Sequence, residues 1–312
     1  MGTEPPSQKR FSALWPAALK AVVVLLLFGG LAVALEGGWE RLREYEWQFE
    51  PWAVAVSFVV MSLASVWAGL AWWAVARAFG APIAARPALR IYSTSNLGKY
   101  LPGKVWHAFA RVYLTQQEGV PLALATTAVV TDIVLYIAAG LLVMVLALPS
   151  IASSFAVVDG RLVVGVALVG LVVGLALLHP AVLNWSFRLA ARLMPSRSFP
   201  PIEASYATIL KIFVLYVILW VLYTTALFVG IRAVYDGVST AALPTLGAIY
   251  ALSYLSGLIM PLAPAGLGVR EGLMALLLSQ LMPVPAAAAA SVLVRVLQVA
   301  AEGLCAALFS RV

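Results

Sequence analysis

Residues 261–272 read PLAPAGLGVREG and decide how this chain folds, because they interrupt an otherwise apolar sequence. A second interruption, SNLGKYLPGKVWH, covers residues 95–107. Proline and glycine break a helix in both stretches, since proline lacks a backbone N–H and glycine favours turns. Inside a membrane, such non-helical backbone must be buried in protein or face water. Transporters build polar sites near the middle of the bilayer from broken helices, so we expect function at these two segments.

The composition is that of a membrane protein with many spans. Of the 312 residues, 63% are hydrophobic and only 11% are charged, and the mean hydropathy is +0.99. A soluble domain carries about 25% charged residues. The net charge of +7 does not point to nucleic acid, because the basic residues lie between hydrophobic segments, as in cytoplasmic loops. The single cysteine, Cys305, excludes an intrachain disulfide.

Hydropathy predicts an all-α polytopic fold with one transmembrane domain over residues 17–312, after a cytoplasmic tail at 1–16. We expect about seven spanning helices and two broken or re-entrant segments, near residues 93–110 and 261–282. The predicted spans are 17–35, 52–79, 122–148, 162–178, 209–234, a segment from about 242 to the break at Pro261, and 285–309. Pro149 is expected to end the third span. One interruption in each half also fits an inverted repeat.

Basic residues indicate the orientation in the membrane. They cluster after the second span, which places that side in the cytoplasm and therefore the N-terminus inside. The cluster comprises Arg77, Arg86, Arg90, Lys99, Lys104 and Arg111. Residues 184–197 are predicted to form a cationic amphipathic helix on the inner leaflet. Residues 273–282 are apolar but too few to cross, which predicts a re-entrant half-helix.

The first interruption combines helix breakers with cations. Backbone N–H groups at a helix start near Gly103, reinforced by Lys104, would form an anion site suited to a phosphate. The alternative is an ordinary cytoplasmic loop whose lysines only set the topology. The candidate binding residues here are Asn96, Lys99, Pro102, Gly103, Lys104 and Arg111.

The second interruption places Arg270 and Glu271 side by side between apolar runs. Ionisable groups at membrane depth are costly, so they usually face a cavity or a partner. The alternative is a tight surface turn with a solvated Arg–Glu pair. The candidate residues of this segment are Pro264, Gly266, Gly268, Arg270 and Glu271.

Three further charges lie within predicted spans. Arg295, Gln298 and Glu302 share one face of the last helix because of their spacing. We expect Glu302 to join helices through an ion pair and Arg295 to contact an anionic headgroup. Asp132, in the third span, is expected to balance charge at the binding site together with Glu271.

Several enzyme signatures are missing from the chain. It contains no His-Glu-x-x-His, no Gly-x-Ser-x-Gly and no Walker loop. His107 and His179 have no acidic neighbour at metal-ligand spacing. We therefore expect a non-enzyme that needs no metal and no cofactor.

The segment PAGLGVRE, residues 264–271, resembles the Pro-Gly-Gly-Leu-Gly-Val-x-Glu signature of the lysylphosphatidylglycerol synthase transmembrane family, also called flippase-like proteins. Ala265 stands where the family has glycine. Residues 96–105 look like the family's first motif, and Arg295 matches an arginine of its final part. Asp132 falls where members have an Asp preceded by a Glu-Arg pair. Ala128 and Val129 occupy the positions of that pair, so its role is not carried over.

The resemblance implies translocation of a lipid. We expect a stand-alone member, without the aminoacyl-transferase domain of multidomain relatives, that works as a flippase in the bacterial inner membrane. It would move an anionic phospholipid or a lipid-linked sugar between leaflets. The headgroup phosphate would be held by Lys99, Lys104, Arg270 and Arg295.

The expected partners are a phospholipid or polyprenyl-linked lipid, a second copy of the chain and a cytoplasmic lipid-modifying enzyme, but not nucleic acid. Two alternatives remain at this point. One is an integral-membrane transferase with a lipid-phosphate substrate, in which Glu271 or Asp132 is the general base. The other is a membrane scaffold that docks a soluble lipid-modifying enzyme through residues 188–197.

Overall fold

The computed structural model describes residues 45, 47, 49–101, 105–155, 160–193, 201–259 and 266–310. This part of the chain contains ten α-helices and no strand. The helices are α1 Pro51–Ala78, α2 Ala85–Asn96, α3 Trp106–Gln117, α4 Leu122–Phe155, α5 Gly160–Leu177, α6 Pro180–Leu193, α7 Tyr206–Arg232, α8 Leu243–Ile259, α9 Val269–Leu278 and α10 Val284–Ser310. Short 3-10 helices cover Leu97–Tyr100 and Thr240–Ala242.

Five helical segments are long and apolar enough to cross a membrane. They are Pro51–Ala78, Leu122–Ser150, Tyr206–Arg232, Thr240–Leu258 and Val284–Ser310. Segments Leu168–Leu177 and Pro180–Ser186 meet at a bend of 69° and pass the same test only together. The prediction of an all-α polytopic membrane fold is therefore confirmed. The predicted tail at 1–16 and the span at 17–35 lie outside the described residues.

Two predicted helix boundaries are wrong. Pro149 does not end the third span, because α4 continues through it to Phe155. The fixed φ of proline is compatible with a helix, its missing N–H removes one backbone hydrogen bond, and membrane helices tolerate this because surrounding groups satisfy the freed carbonyl. The half-helix predicted at 273–282 begins earlier, at Val269, because Glu271 accepts a hydrogen bond from the Gly268 N–H (2.7 Å) and so caps the helix start.

Helix α2 is not among the predicted elements. Its polar end, residues 93–96, belongs to the predicted first broken segment, yet α2 continues as a helix to Asn96. It buries Ala88, Ile91 and Ser95, which are spaced along one face, against α1 and α10. The break itself is therefore narrower than predicted and starts with the 3-10 turn Leu97–Tyr100.

Close contact between α1 and α7 forms the centre of the bundle. Ser57 Oγ donates to the Ala226 carbonyl oxygen (2.8 Å), and Trp67 Nε1 donates to that of Leu215 (2.8 Å). Gly140 of α4 lies against the Trp220 ring, so close that a Cβ there would be 2.6 Å from Cζ2. Small residues allow membrane helices to approach and pack in this way.

The second break is shaped by two glycines with left-handed backbone. Gly266 has φ +74° and Gly268 has φ +84°. A Cβ at Gly266 would lie 2.7 Å from the Gly257 Cα, so the returning chain touches the end of α8 through backbone alone. Helix α9 then packs between α8 and α10. This contact places the start of α9 inside the bundle.

Substitution Gly140→Ala is expected to destabilise the protein by roughly 1–3 kcal/mol, because the added methyl overlaps a buried indole ring. The Trp220 ring cannot turn away without losing the hydrogen bond from Nε1 to the Tyr136 carbonyl oxygen (3.0 Å). Gly303→Ala is the matched control, since that helical position has no neighbour within 4 Å. Thermal unfolding in detergent measures both. Equal melting temperatures for the two variants would contradict the packing described here.

Gly266→Ala should destabilise the protein by roughly 1–3 kcal/mol or more, because alanine disfavours a positive φ and its methyl would meet backbone. Gly272→Ala, six residues away in α9, meets nothing within 4 Å and serves as the control. Protease susceptibility between α8 and α9, measured in membranes, reports on the break directly. A Gly266→Ala protein that is as stable and as resistant as Gly272→Ala would show that this approach is not needed.

Candidate functional site

A small polar cavity of about 70 Å³ lies where the two interruptions of the chain meet. That volume holds several water molecules. The walls come from the end of α2 and the 3-10 turn, the start of α3, the end of α8, the start of α9 and the middle of α10. The lining residues are Asn96, Lys99, His107, Tyr254, Gly257, Leu258, Arg270 and Arg295. We call this cavity the central pocket.

The central pocket lies deep relative to the ends of the last helix. Arg295 is near the middle of α10, which runs from Val284 to Ser310. At 1.5 Å per residue, Arg295 is about 16 Å from one end of α10 and about 22 Å from the other. The hydrocarbon core of a bilayer is about 30 Å thick, so this arginine lies at membrane depth.

Lys99 is paired with Glu302 across the pocket wall. The Nζ and Oε1 atoms are 2.6 Å apart, and the Glu302 side chain is almost fully buried. Tyr100 donates its hydroxyl to Glu302 Oε2 (2.8 Å), and Gln298 Nε2 donates to Oε1 (2.9 Å). The prediction that Glu302 joins helices through an ion pair is confirmed, and its partner is the first interruption.

Arg295 is paired with Glu271. Arg295 Nε lies 3.0 Å from Glu271 Oε1, and both side chains are buried. The second oxygen of Glu271 accepts the Gly268 N–H at the start of α9 (2.7 Å). This carboxylate therefore caps a helix and balances an arginine at once, which joins α9 to α10.

Arg270 differs from the other two pocket cations. Its side chain is 4% exposed, and its guanidinium carbon lies 4.5 Å from the Tyr254 ring centroid and 4.9 Å from that of Tyr250. Among the described residues, no carboxylate lies within ion-pair distance of Arg270. Aromatic faces attract a cation but leave its charge in place. In the part of the chain that the structure describes, Arg270 is thus held by aromatic rings, whereas Lys99 and Arg295 form ion pairs.

A second polar cluster holds Arg111 and Asp132. Arg111 Nη1 lies 2.5 Å from Asp132 Oδ2, and Tyr216 donates its hydroxyl to the other oxygen of Asp132. Arg111 Nε also donates to Ser95 Oγ (3.2 Å), and its guanidinium lies 4.1 Å from the Tyr92 ring centroid. Neither Arg111 nor Asp132 lines the central pocket. Their charges instead satisfy each other between α3, α4 and α7.

The structure brings together most of the predicted site residues that it describes. Asn96, Lys99, Arg270 and Arg295 line the central pocket, and Glu271, Gly266 and Gly268 shape its wall or pair with its cations. Arg111 and Asp132 lie in the separate cluster. Pro102, Gly103, Lys104 and Pro264 lie outside the described residues, and α3 begins at Trp106 rather than near Gly103.

Four pocket residues are absent from the predicted set: His107, Tyr254, Gly257 and Leu258. Tyr254 and Gly257 lie in the last turns of α8, immediately before the second break. Their signal in the sequence is weak, because a tyrosine or glycine in an apolar helix usually only packs. Only the return of the chain at Gly266 makes this helix end part of a pocket.

The arrangement is suited to binding an anion. Two arginines and a lysine converge on one small cavity. Beside it, Glu302 accepts three hydrogen bonds, and Glu271 accepts one from the Gly268 N–H and forms an ion pair with Arg295. Arginine and lysine bind phosphate through charge-assisted hydrogen bonds. A phosphate group in the pocket would therefore meet donors at membrane depth.

Comparison with known protein families agrees with the membrane fold described above. Residues 17–304 match the family model described as the lysylphosphatidylglycerol synthase TM region. Comparison with curated proteins finds no match. Since the family match covers nearly the whole chain, it shows the family. The chain belongs to the lysylphosphatidylglycerol synthase transmembrane family and is a multi-pass membrane protein of lipid metabolism or transport.

Proposed function

We propose that this protein is a lipid flippase of the bacterial inner membrane, with its N-terminus in the cytoplasm. It moves an anionic phospholipid or a lipid-linked sugar between the leaflets. The observation that carries the proposal is the central pocket, where Lys99, Arg270 and Arg295 converge at membrane depth. Uncompensated charge there is costly, so such groups in membrane proteins mark substrate pathways.

The headgroup phosphate binds first to Arg270, because this cation has no carboxylate partner among the described residues. Lys99 and Arg295 complete the contact from the same pocket wall, while Glu302 and Glu271 keep them in position. Lys104, which lies outside the described residues, is proposed to attract the headgroup before it enters the pocket, as a gate.

The acyl chains stay in the apolar phase beside the bundle. An apolar cavity of about 310 Å³ lies between α4, α8 and α9, and it includes Leu252 and Leu277. Leu252 precedes the pocket residue Tyr254 by two positions, and Leu277 follows Arg270 by two helical turns, about 10 Å. The helices that hold the headgroup therefore also carry the neighbouring apolar surface. This continuity supports a lipid rather than a soluble anion as the substrate.

Movement of a lipid is a better proposal than chemistry on it. A general base needs an accessible lone pair near the reacting group. Glu271 Oε1 is buried beside Arg295 and Oε2 accepts the Gly268 N–H, while Asp132 is held by Arg111 and Tyr216 away from the pocket. A scaffold for a soluble lipid-modifying enzyme would bind that enzyme through α6, where Trp185 and Arg188 are exposed. Such a role would leave the central pocket without a function.

Arg270→Gln is expected to lower lipid movement about tenfold or more, because a charged hydrogen bond to phosphate contributes roughly 1.5–3 kcal/mol. The measurement is scrambling of fluorescent phospholipids, including a lipid-linked sugar, in liposomes that contain the purified full chain. Arg270→Lys retains the charge and should recover part of the rate.

Arg232→Gln is the matched control. Arg232, the last residue of α7, is partly exposed, pairs with Asp236 and does not line the central pocket. Its loss should leave the rate unchanged. The proposal fails if the unaltered protein moves none of the lipids faster than empty vesicles do, or if Arg270→Gln matches Arg232→Gln.

A further inference from the structure

We infer that the central pocket selects headgroups with one negative charge, that is, phosphodiester lipids, over phosphomonoesters and diphosphates. This inference rests on the proposed function and names the substrate class of the same site. It narrows the lipid-linked sugars to those joined through a single phosphate.

The pocket and its ion-pair partners contain three cations and two carboxylates in the described part of the chain. The cations are Lys99, Arg270 and Arg295, and the carboxylates are Glu271 and Glu302. Each carboxylate lies within 3.0 Å of a cation nitrogen and forms an ion pair with that cation. Among the described residues, the charges of the pocket and its ion-pair partners therefore sum to one positive charge, and Arg270 is the cation without an ion pair.

Each carboxylate is held in place by more than one interaction. Glu302 accepts hydrogen bonds from Lys99, Tyr100 and Gln298. Glu271 is held by Arg295 and by the Gly268 N–H, and its displacement would also uncap α9. An incoming anion therefore binds beside these two carboxylates and does not displace them from their partners. Among the described residues, Arg270 is therefore the cation that remains to balance the charge of the anion.

In the low dielectric of the bundle interior, this balance of charges favours a headgroup with one negative charge over a headgroup with two. A headgroup with one negative charge brings the pocket to neutrality, whereas one with two leaves an excess negative charge beside Glu271 and Glu302. Uncompensated buried charge is strongly destabilising. At an effective dielectric constant of about 20, one extra charge about 8 Å from another changes the binding free energy by roughly 2 kcal/mol. A preference of about tenfold or more follows from a difference of this size.

The test is binding of two short-chain lipids that differ in headgroup charge. The probes are dioctanoyl phosphatidylglycerol, with one negative charge, and dioctanoyl phosphatidic acid at pH 8.5, where its phosphate carries a second. Isothermal titration calorimetry with the purified full chain gives both dissociation constants. We expect the unaltered protein to bind phosphatidylglycerol about tenfold more tightly.

Glu302→Gln and Glu271→Gln each remove one negative charge beside the pocket. Each should therefore shift the ratio of the two dissociation constants about tenfold in favour of phosphatidic acid. Both changes preserve the shape of the side chain and an acceptor oxygen. Glu118→Gln is the control, because Glu118 pairs with Arg90 (2.7 Å) away from the pocket, and it should leave the ratio unchanged. Melting temperatures check folding, and Glu302→Gln carries the test if the Glu271→Gln protein does not fold.

The outcomes separate this inference from the proposed function. Four results would each overturn the charge selection: equal affinities, tighter binding of phosphatidic acid, no binding of either lipid, or a ratio of dissociation constants that neither glutamine variant changes. Transport that depends on Arg270 would still support a flippase in those cases. Conversely, charge-selective binding without any scrambling in liposomes would support this inference and refute lipid movement.

Discussion

The ion pair between Lys99 and Glu302 connects residues 203 positions apart, with 2.6 Å between Nζ and Oε1. It attaches the 3-10 turn of the first interruption to the C-terminal half of α10. Arg295 attaches the start of α9 to the same helix through Glu271. Removing one partner of such a buried pair leaves an uncompensated charge, which costs about 3–5 kcal/mol. The last helix thus holds both interrupted segments, and the central pocket exists because these two pairs bring them together.

The described part of the chain uses similar charged groups in two ways. In the cluster of Arg111, Asp132 and Tyr216, every charge meets an opposite charge, a hydroxyl or an aromatic face, and the groups join α3, α4 and α7. In the central pocket, the Arg270 guanidinium packs on two tyrosine rings and keeps its charge. The first arrangement favours a stable bundle, and the second favours binding an anion. Access to the cavity, not residue type, separates the two.

Local sequence signals predicted much of the fold correctly. The apolar runs located α1, α7 and α10 to within a few residues, because the length of a spanning helix is set by the thickness of the bilayer. The span end predicted at Pro149 is wrong, because a proline inside a helix and a proline that ends a helix look alike in sequence. The start of α9 was placed too late because its cap depends on the backbone of Gly268 and the side chain of Glu271 acting together. Helix α2 was missed because its buried face is short and partly polar.

The amino-acid sequence by itself determined that the chain forms apolar membrane helices and where two of them break, since hydropathy and the backbone limits of proline and glycine are local properties. It also placed Arg270, Glu271, Arg295 and Glu302 among the residues of interest. Only the tertiary structure decided which of these charges neutralise one another and which faces the cavity. Packing of α2, α9 and α10 brings Lys99 to Glu302 and leaves Arg270 against tyrosines. Contacts between residues that are distant in the chain depend on how whole helices meet, and no local pattern specifies them.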